Sequence, residues 1–300
     1  MPRPQHDRLH DSLRGLSIGD AFGQQFFACP ENTLLRKTAV IPWRWTDDTE
    51  MACSIVRILH THGEIEQDAL ATSFATRFDR GRGYGPAMVF GLLPEVRDGR
   101  PWREAAGSLF DGSGSFGNGA AMRVAPLGAF FADDLEMTAE QARLSAEVTH
   151  AHPEGIAGGI AVAVATAVAV QSADTNDVTG PRTFLEAVIP HVPQSIVRER
   201  LEYAIESLGP RSSTDRASDL LGNGGNISAM DTVPFCLWTA GRFPDDYTEA
   251  LWQTVSALGD MDTNCAIVGG ILAARLGTNV IPDEWHDQCE SLPEWVTTPS

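Results

Sequence analysis

The chain is poor in the features that would place it outside the cell or on nucleic acid. Its 300 residues hold five cysteines (Cys29, Cys53, Cys236, Cys265 and Cys289), an odd, scattered set without a CxxC pair. That excludes a disulfide framework and a zinc ribbon, and suits a reducing compartment. Positive charge is scarce: 22 Lys+Arg against 40 Asp+Glu leave a net charge of −18. Duplex DNA and anionic membrane surfaces both need clustered Lys/Arg, so neither is expected as the main partner. A small anionic ligand stays open, because it needs only a local positive site. The opening MPRPQHDRLH has no apolar core, so no signal peptide is read there. The one long apolar run, residues 156–170, falls short of the roughly 20 residues that span a bilayer. With Gly158, Gly159 and many alanines, it suits a buried helix. A soluble, cytoplasmic protein is expected, and a monomer.

What is present is a core-forming, helical pattern. The chain is 43% apolar and 21% charged, which excludes wholesale disorder. Leu70, Phe74 and Phe78 are four apart; Val197, Leu201, Ile205 and Leu208 repeat the period, as do Tyr247, Leu251, Val255 and Leu258. Met51, Ile55, Ile58 and Leu59 predict another helix starting near Met51. Period-2 β-branched runs are nearly missing, apart from residues 38–45. Turn residues mark loops at 81–86, 111–119, 172–182, 209–219 and 222–225. The possible linkers 172–181 and 210–215 are short, and helical pattern resumes after each. The expected fold is therefore all-α, a compact single-domain helical bundle over residues 1–300, with 291–300 as a loose tail.

Two acidic segments carry the most specific chemistry. Trp45-Thr46-Asp47-Asp48-Thr49-Glu50 precedes the predicted helix at Met51, and Gly259-Asp260-Met261-Asp262-Thr263-Asn264 precedes the apolar run 266–276. Hard divalent cations take oxygen ligands, often a few carboxylates plus water and substrate oxygens. Neighbouring Asp47 and Asp48 diverge by about 100° on a helix, so the pair can reach two adjacent ions. Helix capping is the competing explanation, because Asp and Thr are favoured at N-caps. An EF-hand fails at Asp260: the loop's sixth position would be Cys265 in place of Gly, and its twelfth Ile271 in place of Glu.

Gly112-Ser113-Gly114-Ser115-Phe116-Gly117 matches GxGxxG, but the residues before it read as helix, not as the buried strand a dinucleotide fold needs. The loop can still bring backbone close to a phosphate or ribose, or be an ordinary surface turn. Gly15-Leu16-Ser17-Ile18-Gly19 matches GxSxG inside a helical segment, which excludes a nucleophile elbow. His150, in the His150-Ala151-His152-Pro153 junction, reads either as a cap or buried hydrogen-bonder, or as a group that bonds a ligand oxygen.

Taken together and in this order, several segments resemble the ADP-ribosylglycohydrolase family, which includes the dinitrogen-reductase-activating glycohydrolases. They are GLSIGDAFG (15–23), WTDDTE (45–50), SFGNGAAMR (115–123) with Pro126-Leu127-Gly128, THAHPEG (149–155), GNGGNISAMDTVPFCLW (222–238) and GDMDTN (259–264). The resemblance implies an all-α domain with a binuclear Mg²⁺ or Mn²⁺ centre at one end of the bundle. It implies Thr46, Asp47, Asp48, Asp260, Asp262 and Thr263 as metal ligands. It also implies Gly117, Asn118, Gly119 and His150 as substrate contacts, and Asp47, Asp48 and Asp262 in the chemistry. The implied reaction is hydrolysis at C1″ of ADP-ribose, releasing it from a protein side chain or small conjugate.

Two departures bear on that expectation. Phe27 stands where many members carry a catalytic Glu, with Glu31 the nearest acid, and Arg82-Gly83-Tyr84-Gly85 replaces an Asp-Ile/Val-Gly element of arginine-directed members. The metal-cluster carboxylates then act as the base, or the preferred linkage differs, or activity has been lost. The last case is the alternative function, a non-catalytic ADP-ribose-binding protein of the same fold.

Overall fold

A computed structural model describes residues 3–39, 42–173, 180–209 and 211–296. Among them are seventeen α-helices and no β-strand. Five position the site and are labelled here in chain order: α1 (Gln5–Gln24), α2 (Asp47–His62), α3 (Pro153–Gln171), α4 (Ala229–Arg242) and α5 (Met261–Leu276).

The closest helix pair is α1 with α5, and glycine is the reason. A Cβ on Gly19 would lie 2.1 Å from the Cys265 carbonyl oxygen, and one on Gly23 would lie 2.2 Å from that of Met261. Together with Gly15 these form a stripe of three glycines spaced four residues apart on α1, so the backbones touch where any larger residue would push them apart. That contact carries Asp20 of α1 up against the N-terminus of α5. Beside it, Phe22, Trp43, Trp252 and Trp285 pack with ring centroids 4.5–6.5 Å apart. This aromatic block holds the segment leading into α2.

Several expectations need correction. Residues 38–45 form no strand among those described: Trp43 makes only an isolated bridge to Cys289, because its ring is drawn into the aromatic block. Helix α2 begins at Asp47, not near Met51, with extended Thr46 as its N-cap residue. The two aspartates thus belong to its first turn. The apolar run belongs to a 19-residue helix, α3, long and apolar enough to cross a membrane by length and composition. Burial of 83% of its apolar window identifies it with the core instead. A helix, Thr214–Leu221, starts inside the possible linker 210–215. The tail is not loose throughout: Glu294–Val296 form a turn, with Val296 buried and the Arg77 guanidinium 3.7 Å from the Trp295 ring centroid. Residues 174–179 of the first possible linker, Pro210 of the second and 297–300 of the tail lie outside the described residues.

Candidate functional site

Three chain segments bring carboxylates together at one end of the α1–α5 pair. Oxygens of Asp20, Asp48 and Asp262 all lie within 4.8 Å of one another. Asp20, near the C-terminal end of α1, is completely buried and held by the start of α2. Its Oδ2 accepts from the Thr46 N–H at 2.8 Å, the Thr49 N–H at 3.2 Å and the Thr49 hydroxyl at 2.6 Å. The Thr46 hydroxyl sits 2.8 Å from both Asp20 Oδ1 and Asp48 Oδ2. It has one proton to give, so one of those carboxylate contacts lacks a hydrogen unless the acid itself carries it. Asp48 Oδ1 is buried with no hydrogen-bond partner at all.

The electrostatics agree. Burial, then the charge of Asp20, pushes Asp47 up to about 8. Asp48 and Asp262 lie well above the usual carboxylate range, through burial first and then Asp20 and Asp260 respectively. Asp20 is raised to about 6 by burial, against the pull of its threonine hydrogen bonds. Burial raises Asp260 also, opposed by Asn118. Like charges crowded out of water keep protons, unless a cation replaces them. An all-oxygen donor set with an unpartnered buried carboxylate oxygen fits a hard divalent ion, and capping alone does not explain Asp48 Oδ1.

The second wall of the site is the glycine loop. Asn118 Nδ2 donates to Asp260 Oδ2 at 2.6 Å and to Thr232 Oγ1 at 3.0 Å, tying the loop to the acids. The His150 ring lies directly over the loop: a Cβ on Gly119 would come within 2.8 Å of its Cε1. The state of His150 follows from its partners. Buried Arg123 donates to Thr149 Oγ1 at 2.9 Å, and that hydroxyl is 2.7 Å from His150 Nδ1, its one acceptor. The hydroxyl proton therefore goes to Nδ1, and Nε2 carries the ring hydrogen. Burial and the Arg123 charge lower His150 to about 3, so the imidazole is neutral, with its hydrogen on Nε2.

Beyond the loop lies an apolar rim. Phe110, Phe116 and Ile227 are 53%, 42% and 64% exposed, and the two phenyl centroids are 6.2 Å apart. Phe110 and Ile227 have φ near +50°, which is uncommon for Phe and an outlier for β-branched Ile. Strain and exposed apolar surface coincide there, a combination found at ligand clamps.

Every metal-ligand candidate named from the sequence, Thr46, Asp47, Asp48, Asp260, Asp262 and Thr263, lies at the start of α2 or α5, and Asn118 touches them. Gly117, Gly119 and His150 form the adjoining wall. The sequence reading missed Asp20, although an Asp between Gly19 and Ala21 on an otherwise apolar helix face was the available signal. It also missed the Phe110–Phe116–Ile227 rim. Phe27 is 46% exposed in a short turn after α1. In the Arg82–Gly85 segment, Tyr84 donates to Glu50 at 2.7 Å, and Arg82 pairs with Glu290 while donating to the Trp45 carbonyl at 2.9 Å. Those bonds brace the lead-in to Thr46.

Comparison with known proteins agrees with this arrangement. A family model described as ADP-ribosylglycohydrolase matches residues 1–298. ADP-ribosylhydrolase ARH3 of Homo sapiens is 30% identical over 284 residues, covering 83% of this chain and 76% of that one. An uncharacterized protein of Archaeoglobus fulgidus is 31% identical, covering 93% and 90%. A solved structure described as an ADP-ribosylglycohydrolase-related protein complex superposes with a TM-score of 0.64 at 24% identity, over 95% of this chain and 93% of its own, a likeness of fold.

Proposed function

The chain belongs to the ADP-ribosylglycohydrolase family, and from that premise we propose that it hydrolyses the bond at C1″ of ADP-ribose. The reaction would free ADP-ribose from a modified protein side chain or a small conjugate. The observation that carries this reading is the buried carboxylate cluster with its unpartnered Asp48 oxygen. Asp20, Thr46, Asp47, Asp48, Asp260, Asp262 and Thr263 would hold two Mg²⁺ or Mn²⁺ ions, which supply Lewis acidity and a positive field for ribose hydroxyls.

The chain's own groups then divide the work. Asp47, Asp48 and Asp262 surround the reacting end, where one carboxylate takes the proton of the water whose oxygen bonds C1″. The bond from C1″ to the acceptor breaks with its electrons, and the leaving group regains that proton. His150 Nε2–H donates to the diphosphate, over glycines small enough to let it approach. The Phe110–Phe116–Ile227 rim offers a flat apolar face for adenine. The five cysteines are free thiols, which supports a cytoplasmic setting.

A release assay with Arg-linked, Ser-linked and small-molecule ADP-ribose substrates, each with Mg²⁺ and with Mn²⁺, tests the proposal. Release of ADP-ribose that Asp262→Asn abolishes supports it. Phe27 in place of an acid favours the second reading, a protein that binds ADP-ribose without cleaving it. Tight binding with no turnover on any linkage would establish that reading and overturn the first.

A further inference from the structure

A different cluster of metal-ligating side chains lies at the opposite ends of the helices that carry Asp20 and Asp48. His6 and His10 stand one turn apart near the start of α1, and His60 meets them from the last turn of α2. The Nε2 atoms of His10 and His60 face each other at 3.1 Å. The His6 ring is parallel to His60 within 6°, at a centroid distance of 5.1 Å, and the His10 ring lies 4.9 Å from it at 27°.

Two facing imidazole nitrogens at that distance can share one hydrogen. They are also almost in place for one metal ion: with metal–nitrogen bonds of about 2.0–2.1 Å, tetrahedral ligand atoms stand about 3.3 Å apart. A shift of a few tenths of an ångström therefore converts the contact into a chelate. His6, four residues before His10, stacks on the His60 ring, and the parallel planes keep its lone pair from converging on the same ion. His6 is exposed, while His10 and His60 are half-buried, so the cluster opens to solvent. Burial, with the neighbouring histidines, lowers both His10 and His60 from the usual value, which keeps them neutral with free lone pairs at pH 7. Asp7 and Asp11 add negative potential at His10, and Arg57 opposes it at His60.

We propose that His10 and His60 form a second cation site, with His6 stacked against it, for a borderline late transition ion such as Zn²⁺, Ni²⁺ or Cu²⁺ bound through imidazole nitrogen. Ligand chemistry separates it from the acid cluster: nitrogen here, hard oxygen there. Distance does too, since His10 and Asp20 are ten residues apart on α1, about 15 Å of helix. An ion bound here would clip α1 to α2. The proposal is independent of the hydrolase reading.

Copper titration of the Mg²⁺-saturated protein, followed by electron paramagnetic resonance, tests it. One saturable Cu²⁺ with coupling to at least two nitrogens is expected. His10→Gln and His60→Gln should each weaken binding by at least about tenfold, the loss that even a supporting group causes at metal sites. His6→Gln, which removes only a stacked ring, should leave it nearly unchanged. Unchanged circular dichroism and unchanged ADP-ribose release in His60→Gln would show that the loss is local. Oxygen-only coordination, or nitrogen coupling that survives the His10→Gln/His60→Gln double substitution, would overturn the proposal.

Discussion

The two walls of the candidate site differ in how well their polar groups are satisfied. In the acid wall, one Thr46 hydroxyl faces two carboxylates, Asp48 Oδ1 has no partner, and burial raises five aspartates, with repulsion inside the cluster adding at Asp47, Asp48 and Asp262. In the loop wall, Arg123, Thr149 and His150 form a directed chain that leaves a neutral imidazole with a defined tautomer. One wall is incomplete without a cation; the other is partnered through Thr149, with the buried Arg123 Nε as its one exception among the groups of that chain. Frustration and satisfaction side by side are what a site needs if it recruits ions and then holds a ligand in fixed register.

The sharpest way to break this contrast is to neutralise the acid wall. Asp48→Asn should lower ADP-ribose release by about 100-fold or more, in the range seen when a group stabilising developing charge is removed. The same substitution should raise the melting temperature of the cation-free protein, because it removes a carboxyl that must be held protonated, at a free-energy cost, to stay buried. Calorimetry with and without Mg²⁺ checks both signs. A cation-free protein that melts earlier than wild type would show that Asp48 is a structural acid.

A pH series comes next in size. The raised carboxyls bind more protons in the folded chain than in the unfolded one, so their contribution is greatest at low pH and is lost as pH rises toward their folded values. His150 works the other way, since it must be neutral when folded, but its contribution is complete above about pH 6.5. Between pH 6.5 and 8 the carboxyls alone act, with Asp47 at about 8 and Asp48 and Asp262 well above the usual carboxylate range. Denaturant unfolding should show the cation-free protein losing about 1–3 kcal/mol over that window. Saturating Mg²⁺ should flatten the slope, and a slope unaltered by Mg²⁺ would separate these acids from cation binding.

The loop wall should respond oppositely. Thr149→Val leaves the Arg123 donor and His150 Nδ1 without their shared partner, at a cost of about 1–3 kcal/mol. ADP-ribose affinity should fall, while Mg²⁺-dependent stabilisation stays as in wild type. The smallest effect is at the rim. Ile227→Gly relieves the positive φ, worth about 1–2 kcal/mol, and removes a side chain that is mostly exposed. Stability should rise slightly as ADP-ribose affinity drops; a gain in both would mean that the strain serves no ligand.

Much of the acid wall was legible because it is local. Thr46-Asp47-Asp48 and Asp260-x-Asp262-Thr263 stand next to strong helical patterns, and acids at helix starts are visible in one dimension. The same locality misplaced the start of α2 by four residues, since Asp47 and Asp48 fit a helical first turn as readily as a loop before it. Asp20 was not legible. Its role depends on Gly19 and Gly23 allowing α5 to approach, a contact between residues some 240 positions apart. The rim escaped for a related reason: Phe110 and Phe116 flank the start of the glycine loop while Ile227 comes from a remote segment, and their exposure and the positive φ of Phe110 and Ile227 exist only in the folded chain.

By itself, the sequence determined the helical class and the two acidic helix starts, because periodicity and capping chemistry act over a few neighbouring residues. It also determined which glycines are small enough for close packing. Only the tertiary structure decided that Asp20, Asp48 and Asp262 come together, that His150 is neutral with its hydrogen on Nε2, and that three histidines meet where α1 and α2 converge. Burial, repulsion and hydrogen-bond direction depend on distances between segments remote in the chain, and those distances exist only once the helices are packed.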